Sequence, residues 1–165
     1  MSEERIKARI KEIAQDINAD YSGESVLFVG ILKGSFIFLA DLVREVSVAA
    51  DIGFIAVSSY KDKDVSEGIV SILYDLDRPV EGKNVVIVED IADSGLTLNF
   101  LISSVKARTP KSLKVCVLLD KPSRRKVNIT PDYIGFQIPD AFVVGCGLDY
   151  AGRYRNLKGI YTVRP

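Results

Sequence analysis

Three apolar runs constrain this chain more than anything else in it: "SVLFVGIL" at 25–32, "NVVIVED" at 84–90 and "SLKVCVLLD" at 112–120. None alternates with polar residues, so each reads as a strand covered on both faces. The segments between them have a different period. Ile6, Ile10, Ile13, Ala14 and Ile17 recur at helical spacing, which predicts an amphipathic helix over 3–18. "FIFLADLVREV" follows the first strand as a helix. "LTLNFLISSVKAR" follows the second, with Leu98, Leu101, Ile102 and Val105 on one face. "DIGFIAVSSY" and "GIVSILYDL" are further strands, and the polar "KDKDVSEG" between them is predicted to be a mobile loop or hairpin connection. "YIGF" and "FVVGCGLD", after the loop "KPSRRKVNITPD", are the last short strands.

Apolar strands alternating with amphipathic helices predict an α/β fold of parallel βαβ units. A chain of 165 residues is expected to form one domain with a sizeable core. In such sheets ligands bind beyond the carboxyl ends of the strands, where the strand order reverses. The polar chemistry is concentrated at those ends, in "GILKGS", "VEDIADSGLT", "LLDK" and "GLDY". The tail after residue 150 is expected to pack near the site as a small accessory lobe.

Composition removes whole classes of function. There is no histidine, which excludes Ser-His-Asp and Cys-His nucleophile systems and the usual zinc sets. Proton transfer near neutrality must then fall to carboxylates, Lys, Tyr or the substrate itself. Acidic and basic residues balance at 22 each, which argues against a general affinity for nucleic acid or an anionic membrane. Cys116 and Cys146 sit in strand-like apolar runs and are expected to be buried free thiols. The opening "MSEERIKARIKEIAQDI" has no apolar signal-peptide core, and no run approaches the ~18 residues of a membrane span, so a cytoplasmic location is expected.

"VVIVEDIADSGLTL", residues 85–98, carries the sharpest signal. Ser94, Gly95 and Thr97 fall between a strand and a helix, where backbone N–H groups and the helix N-terminus suit a phosphate monoester. The segment lacks the Walker spacing and its lysine. Glu89 and Asp90 would repel phosphate, so they suit another part of the ligand. Adjacent carboxylates can accept from the vicinal hydroxyls of a ribose or hold Mg²⁺. A ligand with ribose hydroxyls at one end and a 5′-phosphate at the other fits both halves, with Asp93 beside the sugar.

That string resembles the phosphoribosyl-pyrophosphate (PRPP) motif of the type I phosphoribosyltransferases. From about residue 26 to 155 the chain is most similar to the hypoxanthine-guanine phosphoribosyltransferases, through "LKGS" at 32–35, the string at 88–98, "LLDK" at 118–121 and "PDAFVVGCGLDYAGRYR" at 139–155. The resemblance implies a parallel-sheet fold with flanking helices and a small hood lobe. It implies transfer of ribose 5-phosphate from PRPP to hypoxanthine or guanine, giving IMP or GMP and pyrophosphate, with Mg²⁺ as cofactor.

The resemblance also implies roles residue by residue. Glu89 and Asp90 hold the ribose hydroxyls directly or through Mg²⁺, and Asp93 is the general base near purine N7. Ser94, Gly95, Leu96 and Thr97 form the 5′-phosphate loop; Leu96 stands where some relatives carry lysine. Lys33 and Gly34 form the pyrophosphate loop, in which the peptide before the lysine is often cis. Arg155 lies near pyrophosphate. Lys121 donates to the exocyclic O6, Phe142 stacks on the base, the Val143 backbone contacts its edge and Leu148 lines the pocket. Asp149 lies near a second metal, which makes Glu89, Asp90 and Asp149 the implied metal ligands. "SSY" at 58–60 begins a flexible loop that closes over the reacting centre. Relatives form homodimers or homotetramers. Two other readings stay open here: a xanthine-preferring or adenine transferase, and an RNA-binding regulator of the pyrimidine-operon type, for which "PSRRKVNIT" could supply phosphate contacts.

Overall fold

A computed structural model describes residues 1–60 and 69–163; the polar stretch 61–68, expected to form the closing loop, lies outside them. Helix α1 (Glu3–Asp20) starts where Ser2 Oγ accepts from the Arg5 N–H at 3.4 Å, with Glu3 and Glu4 in the first turn to complement the helix dipole. Its buried residues are the five that the spacing predicted: Ile6, Ile10, Ile13, Ala14 and Ile17. Each isoleucine so buried contributes about 1.5–3 kcal/mol, which makes α1 an integral layer of the fold.

Then come β1 (Ser25–Leu32), α2 (Phe36–Glu45), β2 (Ala49–Tyr60), β3 (Ile69–Tyr74), β4 (Asn84–Ala92), α3 (Leu96–Lys106), β5 (Ser112–Asp120) and β6 (Tyr133–Gln137). They form one six-stranded sheet in the order β3-β2-β1-β4-β5-β6. Pairing is parallel from β2 to β6. The exception is β3, which runs antiparallel to β2 at the edge. Its direction agrees with the sequence, because the eight residues between β2 and β3 are fewer than the roughly dozen a parallel crossover needs.

Alternation of side chains along each strand builds two cores. Val26, Phe28, Val86, Val88, Cys116 and Leu118 face α1 and α2. Leu27, Val29, Val85, Ile87, Val115 and Val117 face α3. Both cysteines are buried and unpaired.

The order reverses between β1 and β4. From β1 the chain crosses through α2 to β2 on one side, and β4 returns to the other. The carboxyl ends of β1 and β4, carrying "LKGS" and "EDIADSGLT", are thus neighbours at the switch point. Over them sits a small lobe in which β7 (Val143–Val144) pairs antiparallel with β8 (Tyr161–Thr162), a strand that the sequence pattern did not reveal. The Met1 ammonium donates to the Ile160 carbonyl at 2.7 Å and ties this lobe to α1. The tail does pack near the site, as expected.

Candidate active site

Near its end strand β4 carries three half-buried residues, Glu89, Asp90 and Ile91, between five fully buried ones and the buried Ala92. Alternation sends the two carboxylates to different neighbours. Glu89 joins Asp93, Ser94, Gly95 and Thr97 in a shallow cleft at the head of α3. Asp90 faces Gly34, and a Cβ on Gly34 would collide with its carboxyl group. Gly34 is therefore the one residue type that lets this loop lie against the strand end.

Enough protein surrounds both acids that burial dominates their titration. Glu89 is pushed well above the usual carboxylate range by desolvation and then by Asp90, with Arg125 pulling weakly the other way. Asp90 rises from an ordinary 3.8 to about 6, again mainly through burial. N–H groups of Asp90 and Ile91 and the charge of Arg155 oppose the rise, and Asp149 adds to it. Two desolvated acids that repel each other and a third nearby acid make a site short of positive charge.

Gly95 caps α3 in the left-handed region at φ +82, leaving Leu96 and Thr97 in the first turn of the helix. Ser94 Oγ accepts from the Leu96 N–H at 3.4 Å. Small side chains, free helical N–H groups and two hydroxyls make this turn suited to an anion. Across the switch point, Lys33 is exposed and the Leu32–Lys33 peptide is cis, as the resemblance implied.

Lys121 follows β5, and its backbone N–H donates to the Ala92 carbonyl at 2.9 Å, joining the ends of β4 and β5. Its side chain is only 8% exposed, and the carboxylate it faces, Asp140, lies at 3.9 Å, beyond hydrogen-bond reach. Strand-end lysines are ordinarily surface residues; this ammonium is held inside with donors to spare.

The hood brings in the remaining expected residues. Phe142 is exposed and meets the Tyr150 ring edge-on at 5.5 Å. Val143 is half-buried in β7, and Leu148 is buried. Arg155 donates to the Gly147 carbonyl at 2.6 Å and pairs with Asp149 at 2.7 Å, and Asp149 also accepts from the Gly152 N–H at 2.8 Å. Gly147, at φ +96, packs directly on the Gly34 carbonyl, so the hood and the loop after β1 touch through two glycines.

The structure adds residues that sequence reasoning passed over. Arg124 donates to Asp93 at 3.2 Å and to Asp140 at 3.4 Å. Arg125 pairs with the buried Asp120 and donates to the Asp93 carbonyl at 3.1 Å. All lie in or beside "DKPSRRKV", read above only as a loop with a possible RNA contact. The signal present was two arginines a few residues after a strand-end acid. Among the described residues no three His, Cys, Asp or Glu side chains gather as a metal-binding group, and no helix is long and apolar enough to cross a membrane.

A mostly parallel sheet whose switch point carries a turn suited to an anion, desolvated acids and a hood fits a transferase of the phosphoribosyl type. The chain belongs to that family: the model for the phosphoribosyl transferase domain matches residues 2–151. Its relatives are narrower in kind. It is 52% identical over 163 residues to the hypoxanthine phosphoribosyltransferase of Escherichia coli (strain K12), covering 98% of this chain and 92% of that protein. It is 47% identical over 165 residues to the hypoxanthine-guanine phosphoribosyltransferase of Bacillus subtilis (strain 168), covering 100% and 92%. The crystal structure of a Bacillus anthracis hypoxanthine-guanine phosphoribosyltransferase superimposes with a TM-score of 0.96 at 49% identity, over 99% of this chain and 96% of that one.

Proposed function

We propose that this protein transfers the 5-phosphoribosyl group of PRPP to hypoxanthine or guanine, yielding IMP or GMP and pyrophosphate, with residues 1–165 acting as one domain. The observation that carries the choice of base is Lys121, a buried ammonium without a close acceptor among the described residues, matched to an exocyclic O6. An adenine amino group offers donors there and would leave the lysine unpaired. Neither the adenine nor the RNA-binding reading has a comparable feature in its favour.

In the reaction, a purine nitrogen attacks the anomeric carbon, the bond to pyrophosphate breaks, and its electron pair leaves with the pyrophosphate. Positive charge develops on the sugar and negative charge on the leaving group. In this reading Ser94, Gly95, Leu96 and Thr97 hold the 5′-phosphate, and Glu89 and Asp90 hold the ribose hydroxyls. Asp93, half-exposed at the mouth of the cleft, takes the purine N7 proton. Lys33, Gly34 and Arg155 receive the pyrophosphate. Phe142, Val143 and Leu148 clamp the purine between the hood and Lys121. The "SSY" segment and the stretch after it would exclude water.

The donor set fits Mg²⁺. Glu89, Asp90 and Asp149 are hard oxygen donors, and Asp149 adds to the cost of ionising Asp90. Mg²⁺ is ordinarily held by one or two carboxylates plus substrate oxygens, so a gathered three-residue set is not required. When bound it supplies charge neutralisation on the pyrophosphate and ribose oxygens. The reading also places the protein in the cytoplasm as a homodimer or homotetramer. Ile52 and Phe54 on β2 and Leu73 and Tyr74 on edge strand β3 are exposed apolar side chains that support self-association.

The test is an initial-rate comparison of hypoxanthine, guanine, xanthine and adenine with PRPP and Mg²⁺. Turnover of the first two, abolished by excess chelator, is the expected result. No turnover of either would end the reading, and a higher kcat/KM for xanthine would replace its substrate.

A further inference from the structure

The segment after Lys121 straps the phosphate loop. Arg125 reaches back along two arms: one to the Asp120 carboxylate, where the side chains of the pair are 13% and 5% exposed, the other to the Asp93 main-chain carbonyl at 3.1 Å. The next residue, Lys126, donates its N–H to the Ser94 carbonyl at 2.9 Å. The missing Cβ of Gly95 leaves the space occupied by Val127 Cγ2 and Arg125 Cδ. Residues 125–127 thus touch 93, 94 and 95 in succession.

Asp120 is the last residue of β5 and the one before Lys121. Through Asp120 and the Asp93 carbonyl, one guanidinium spans the end of the strand that carries the purine-reading lysine and the loop that carries the base. A fork of N–H donors in a plane can serve both acceptors at once; an ammonium cannot hold the same pair in fixed directions.

We propose that Arg125, resting on the roles given above to Asp93 and Lys121, is a positioning residue for the transfer step: it fixes the Asp93 backbone against buried Asp120, so that the carboxylate meets purine N7 while Lys121 holds O6. It touches neither substrate nor reacting atoms. Its effect therefore runs through Asp93 and falls on kcat, whereas the main-chain contact from Lys126 keeps the phosphate turn in place without it.

The test is a double-mutant cycle in kcat at saturating PRPP and guanine, using the wild type, Arg125→Lys, Asp93→Asn and the double variant. Lysine keeps the charge beside Asp120 and loses the fork. Arg125→Lys is expected to lower kcat about 10- to 100-fold in the wild-type background, with KM for PRPP changed less than about threefold. In the Asp93→Asn background its effect is expected to shrink below about threefold. Equal losses in both backgrounds, or a loss in KM alone, would overturn the positioning role. A kcat within about twofold of wild type for Arg125→Lys would overturn it as well. If Arg125→Lys does not fold, Asp120→Asn carries the same cycle: it leaves an acceptor in place and is expected to give a smaller loss that also vanishes without Asp93. The single variant Asp93→Asn is read first. Its keeping full activity would overturn the base assignment itself, whereas a normal Asp93 effect with an additive Arg125 effect overturns only the inference about Arg125.

Discussion

An acid that titrates near neutrality in the folded chain weighs against folding, and Asp90 is the cleanest case. Its folded pKa is about 6 against an ordinary 3.8, with burial as the main cause. A raised carboxylate pKa favours the protonated folded state, so stability is fully present below about pH 4 and is lost as pH rises through 6. The difference of about two units corresponds to about 3 kcal/mol at pH 7.5, a ceiling because the side chain keeps some access to water. Asp90→Asn removes that charge and keeps an oxygen to accept from the Asp90 and Ile91 N–H groups. It also relieves Glu89, whose carboxyl Asp90 pushes upward.

The metal-free Asp90→Asn protein should therefore melt above wild type at pH 7.5 in chelator, by at most about 6–12 °C at 2–4 °C per kcal/mol. At pH 5 the gain should fall to roughly half, because the folded wild type has then reclaimed most of its proton. Mg²⁺ with pyrophosphate should raise the wild-type melting temperature and leave the variant nearly unmoved, since the charge they complement is gone. Calorimetric scans at the two pH values, with and without these ligands, read all three effects. A variant that melts at or below wild type at pH 7.5 would refute the reasoning. A gain of equal size at both pH values would show that packing, not ionisation, was responsible.

Three further substitutions separate the functions of the site. Lys121→Ala should raise KM for guanine and hypoxanthine and leave the Kd for PRPP nearly unchanged, whereas Thr97→Ala should weaken PRPP and GMP together by about 1.5–3 kcal/mol, as titration calorimetry on both would read. Gly147→Ala would force a Cβ into the Gly34 carbonyl from a backbone at φ +96; pyrophosphate affinity should drop at least about tenfold, and an unchanged Kd would mean that the hood can shift away from the loop at little cost.

Local pattern and three-dimensional assembly divided the information in this chain unequally. Continuous apolar runs defined β1 and β5 to the residue, because the buried stretch of a strand covered on both faces admits few polar positions; Lys114 lies where β5 is still partly exposed. Helix α1 was equally legible, since its five buried residues are a 3.6-residue repeat. What escaped was short or set by partners: β8 is two residues long, and its strand character comes from pairing with β7. The chemistry followed the same division. Acids and small residues clustered in one string, residues 89–97, marked the candidate cleft at the head of α3 by themselves. Arg125 did not, because an arginine in a polar loop has the same local pattern whether it is solvated or clasped. Its significance depends on Asp120 and on the Asp93 carbonyl, contacts that exist once β4 and β5 lie side by side. Lys121 shows the same dependence: its place after β5, the Ala92 carbonyl and the facing Asp140 make an ordinary strand-end lysine a buried donor. A motif can report the atoms that meet a ligand, but the residues that hold those atoms in place are chosen by the sheet, and a site whose parts come from five separated segments needs such residues most.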